Sequence, residues 1–64
     1  MSNNIISKEV ENFLINAKKQ ITKDNMEDIR YEAIKLAQES LKKRNVEDIK
    51  CLMEFIEDIE ETYR

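Results

Sequence analysis

Carboxylates are the commonest reactive groups in this chain. Glu57 and Glu60, Glu57 and Glu61, and Glu54 and Asp58 stand three or four residues apart, a spacing that makes side chains neighbours on a helix. Paired carboxylates can transfer protons or bind a hard cation. The helical di-iron pattern, however, also asks for Glu-x-x-His motifs, and the chain contains no His. The same absence rules out a Ser-His-Asp triad, zero Gly rules out phosphate-cradling loops, and a single Cys cannot build a zinc site. No catalytic residue, cofactor or metal is therefore expected, and the chain is expected not to be an enzyme.

Cys51 is the one nucleophile of note. Glu47, Asp48 and Glu54 lie close to it in sequence and Lys50 is the only adjacent cation, so nothing favours the thiolate. It reads as a small residue at the edge of a core. One Cys allows no internal disulfide, in keeping with a reducing compartment. The start Met1-Ser2-Asn3-Asn4 lacks the basic and apolar parts of a secretory signal, and no apolar run reaches the ~20 residues of a membrane span. The expected location is cytoplasmic. The abundance of Ile, Asn and Lys suggests an AT-rich coding sequence, as in a low-GC bacterium or its phage.

These side chains need elements to hold them, and 64 residues with no Gly and no Pro lack the punctuation of strands and hairpins. Apolar residues instead recur at steps of three and four. Ile6, Val10, Phe13, Leu14, Ala17 and Ile21 make the stripe of a first helix over about 8–21, with Ser7 as N-cap. Met26, Ile29, Ala33, Ile34, Leu36, Ala37 and Leu41 mark a second over 26–43, capped by Asp24 or Asn25. Val46, Ile49, Leu52, Met53, Ile56, Ile59 and Tyr63, widened by Cys51 and Phe55, mark a third over 46–63.

If the last two were one rod, their stripes would be offset by roughly 130° at 100° per residue. A break at Arg44-Asn45 is expected instead. Short connections then predict an all-α, antiparallel up-down-up three-helix bundle. Residues 1–64 form one domain with a short disordered N-terminus, about 1–5. The third helix has an apolar arc wider than half its circumference, so it either touches both other helices or meets a partner. Asn25-Met26-Glu27-Asp28-Ile29-Arg30 and Asn45-Val46-Glu47-Asp48-Ile49-Lys50 match at an offset of twenty, which convergent helix-start signals explain.

Charge is uneven. The net −3 resolves into +1 for residues 1–24, +1 for 25–44 and −5 for 45–64. Glu47, Glu54, Asp58 and Glu61 form an acidic ridge on the third helix, opposite its core face. Lys18, Lys19 and Lys23 are expected to approach Glu57, Asp58, Glu60 and Glu61 and neutralise part of it. Arg30 and Glu60 sit inside apolar arcs at matching levels of an antiparallel hairpin, which predicts a partly buried ion pair that fixes register.

The acidic third helix, and Glu27 with Asp28 at the start of the second, would repel nucleic acid. Lys42-Lys43-Arg44 suits a helix C-terminus instead. What remains is surface. The leading expectation is a non-enzymatic protein–protein interaction module, an inhibitor, adaptor or regulatory component. Its contacts would be Tyr31, Phe55 and Cys51, with the ridge Glu47, Glu54, Asp58 and Glu61 steering a partner. The expected partner is another protein or a second copy of the chain, with no membrane. The alternatives are an obligate homodimeric bundle and a minimal helix-turn-helix-like nucleic-acid regulator.

Overall fold

The computed structural model describes residues 5–63. Residues 1–4 of the expected disordered N-terminus lie outside them. Ser7 stays extended while its Oγ accepts the Val10 N–H at 3.3 Å, opening α1 (Lys8–Gln20). Acidic Glu9 and Glu11 then face the positive helix end, and Lys18 and Lys19 the negative one. The helix stops one residue before the expected Ile21. That residue turns extended, yet its N–H still closes the last turn on the Ala17 carbonyl at 2.9 Å.

A reciprocal clasp follows. The Thr22 N–H donates to Asn25 Oδ1 at 2.6 Å, and the Asn25 N–H donates to Thr22 Oγ1 at 3.3 Å. Asn25 Nδ2 also donates to the Gln20 carbonyl at 2.9 Å. The Asn25 side chain is thus engaged with the end of α1 and does not cap α2 (Met26–Lys43), contrary to expectation. The matching hexapeptides accordingly diverge, because Asn45 does cap its own helix.

The second turn has a residue in the left-handed region. Arg44, at φ 58°, donates its N–H to the Leu41 carbonyl at 3.1 Å, and the Asn45 N–H donates to the Ser40 carbonyl at 3.0 Å. Together these bonds form a Schellman motif. Asn45 Oδ1 accepts the Asp48 N–H at 3.2 Å and opens α3 (Val46–Tyr63).

Three long-range contacts set the directions. Arg30 meets Glu60, so α2 and α3 are antiparallel. Ser7 meets Asp48 and Phe13 meets Phe55, so α1 runs parallel to α3 at a nearly constant offset. The result is an all-α three-helix bundle, 40 × 17 × 16 Å.

Its buried apolar core takes Val10 and Ala17 from α1, Met26 and Ala33 from α2, and Leu52, Phe55, Ile56 and Ile59 from α3. Half of these come from α3, whose wide arc carries the packing. The Phe13 and Phe55 rings meet edge to face at 87°, centroids 5.9 Å apart. Two polar residues share this interior. The Asp48 carboxylate accepts the Ser7 N–H at 2.7 Å and the Ser40 hydroxyl at 3.4 Å, pinning the start of α1 to the α2–α3 turn.

Candidate interaction face

The hairpin of α2 and α3 has two apolar sides, and α1 covers one. On the other, Ile34, Ala37 and Leu41 of α2 and Ile49, Met53 and Ile56 of α3 line an open groove of about 210 Å³, with Gln38 as its only polar lining residue. Leu41 is 66 % exposed, Met53 49 % and Val46, at the turn end, 65 %. All three have the spacing of core residues. They lie open because a hairpin with two apolar sides has one helix to cover it.

Arg30 and Glu60 close the far end of this strip. Arg30 Nε donates to Glu60 Oε2 at 3.0 Å, with both side chains 32 % exposed, and Arg30 Nη1 lies 3.6 Å from a Glu27 carboxylate oxygen. The guanidinium holds two carboxylates at once. The helical period explains the placement, since both residues fall among the apolar positions of their helices, at levels that face each other across the hairpin.

Of the other expected contact residues, Cys51, Glu54, Phe55 and Asp58 line one cleft with Leu14 and Lys18 of α1, and Tyr31 lies apart from them. Phe55, expected on an open flank, is instead buried at 6 % exposure against Phe13, as a core residue. Tyr31 is 64 % exposed on the outer side of α2, with the Lys35 ammonium 5.6 Å from its ring centroid. Cys51 is half-buried on the α1 side of α3, in a cleft with Leu14, Lys18, Glu54 and Asp58. Burial first, and then Glu47, Glu54 and Asp48, raise the Cys51 pKa above that of an ordinary thiol, outweighing Lys50. The group is therefore a protonated thiol at neutral pH.

The acidic ridge also lies on this α1 side. Glu54, Asp58 and Glu61 are exposed and Glu47 is half-buried. Lys18 sits in the same cleft as Glu54 and Asp58, but among the described residues no ion pair within 4.0 Å joins Lys18, Lys19 or Lys23 to α3. The expected neutralisation is one of proximity only.

A second open cleft of about 460 Å³, lined by Glu9, Phe13, Glu32, Lys35, Leu36 and Glu39, separates α1 from α2. Its lining is mostly charged, three carboxylates and one ammonium beside Phe13 and Leu36. Among the described residues no group of three or more His, Cys, Asp or Glu is placed to hold a metal ion, and no helix is long and apolar enough to cross a membrane. No family model, curated protein or solved structure matches the chain.

Sequence reasoning missed two features. Leu41, Val46 and Met53 were assigned to the core, although the over-wide arc of α3 pointed to surplus apolar surface. Ser40 and Asp48 fall on the apolar stripes of α2 and α3, in step with Ala33 and with Leu52, Phe55 and Ile59. Polar residues at core positions were the available signal of a buried hydrogen-bonded pair.

Proposed function

We propose that the chain is a non-enzymatic, cytoplasmic protein–protein interaction module whose working surface is the α2–α3 groove. The observation that carries this reading is the continuous apolar lining of Ile34, Ala37, Leu41, Ile49, Met53 and Ile56, in which Leu41 and Met53 stand exposed beside half-buried and buried neighbours. Contiguous apolar surface of this kind marks association sites, whereas single exposed apolar residues do not. The occupant is an amphipathic helix. A groove between two antiparallel helices accepts a third helix by ridge-into-groove packing, and it meets apolar anchors at i, i+3, i+4 and i+7. Arg30 and Glu60 fix the spacing of the groove walls at one end. The acidic ridge is turned away from the groove and sets the net charge, not the contact.

Site-specific photocrosslinking tests the reading. A benzophenone side chain at Leu41 should crosslink a protein in cells of the native host, and one at Lys19, on α1, should not. If Leu41 crosslinks nothing, or both positions crosslink alike, the groove is not the working surface.

A further inference from the structure

Resting on that reading, we infer that the surface which covers the groove is the same α2–α3 face of a second copy, with α3 laid antiparallel on α3 about a two-fold axis that crosses the helices near Met53. The groove side of α3 carries Val46, Ile49, Met53, Ile56 and Glu60, at alternating steps of three and four, with Val46 and Met53 exposed and Ile56 buried at its inner edge. Lys50 and Glu57 flank this strip on one side, seven residues apart, with Met53 between them. Both are exposed, and neither forms an ion pair within 4.0 Å among the described residues.

A two-fold axis across the helices lays α3 on its copy head to tail. Lys50 of each chain then faces Glu57 of the other, so one short sequence supplies both charge pairs. At the same levels on α2, Lys42 of each chain comes opposite the exposed Tyr31 ring of the other. The other face-to-face arrangement has its axis along the helices and brings the two turn ends together. α3 of each chain would then lie on α2 of the other, and Lys50 would meet Lys42 of the copy, like charge against like. Charge therefore selects the antiparallel arrangement and gives it a reason to be self-complementary.

The size also fits. A standard interface takes ~800 Å² from each partner. That is about one sixth of the 5014 Å² surface, and one long side of a 40 × 17 × 16 Å body is of that order. Met53 would lie in the middle of a four-helix contact and Leu41 and Val46 towards its ends, and the small core of the single chain would be extended across it.

Sedimentation equilibrium with charge-swapped chains tests the inference. The wild-type chain should dimerise at micromolar concentrations. K50E and E57K should each weaken association about tenfold, since each replaces two attractive pairs by two repulsive ones. Equimolar K50E and E57K should form a heterodimer of wild-type affinity, and the double variant should recover the homodimer. Both sites are exposed, so unchanged helicity verifies that folding is intact. A wild-type chain that stays monomeric to millimolar concentration overturns the inference, and so does a dimer whose charge variants are not rescued by mixing. If the chain is monomeric while Leu41 crosslinks a different protein, the interaction module stands and the second copy is excluded. If Leu41 crosslinks nothing, both fail.

Discussion

Asp48 illustrates how one side chain can join three parts of a small fold. Its carboxylate accepts from the Ser7 backbone at the start of α1 and from Ser40 at the end of α2, while its own N–H is held by Asn45. Asp48→Ala leaves a part-buried N–H and a buried hydroxyl without an acceptor, at a cost of about 2 kcal/mol. Thermal unfolding monitored by circular dichroism should register this as a fall of roughly 10 °C. Glu47→Ala, at the neighbouring half-buried position, should change Tm little. Arg30 and Glu60 have a smaller role, because each is about one third exposed and so partly screened. A double-mutant cycle on Arg30→Ala and Glu60→Ala should yield a coupling of about 1 kcal/mol, and zero coupling would remove the pair from the account. The raised Cys51 pKa makes a further prediction at this scale. Since the native state disfavours the thiolate, the associated stability is present below the ordinary thiol pKa, ~8.5, and declines as pH rises through the higher folded value. Alkylation of Cys51 at pH 8 should be slower than in the unfolded chain, and equal rates would contradict the burial described.

Among the elements, the helices themselves are legible from sequence because their stripes and first-turn acids agree, joined by last-turn bases on α1 and α2. The turns are less so. Asn25 and Asn45 are alike in composition and context, yet one clasps Thr22 and the other caps α3, a difference set by where the preceding helix ends. The left-handed residue is Arg44, where Asn45 also suited that conformation. Arg44→Gly should therefore raise stability by about 0.5–1 kcal/mol, seen as a higher Tm with unchanged helicity. A lower Tm would show that the arginine side chain contributes more than its backbone strain costs. The elements also differ in how firmly they are held. α2 and α3 share the long antiparallel seam, whereas α1 rests on one side of it and is separated from α2 by a cleft. Amide exchange should be fastest in α1 and slowest around Leu52 and Ile56.

For the whole molecule, what could not be read from sequence is which surfaces remain open. Apolar periodicity assigns Ile34, Leu41, Ile49 and Met53 to a core face, but only tertiary packing decides that α1 lies on the opposite side of the hairpin. Phe55 was misplaced for the same reason in reverse, since its position on the edge of the α3 arc becomes interior once Phe13 packs against it.

The most direct test uses the methionine methyl groups, because Met26 is buried in the core and Met53 lies in the groove. With carbon-13-labelled methionine and a soluble paramagnetic agent, the Met26 signal should persist at every protein concentration. The Met53 signal should be protected in concentrated samples and bleached on dilution. A Met53 signal that is bleached at all concentrations, with Met26 unaffected, would show that no second copy covers the groove and contradict the account.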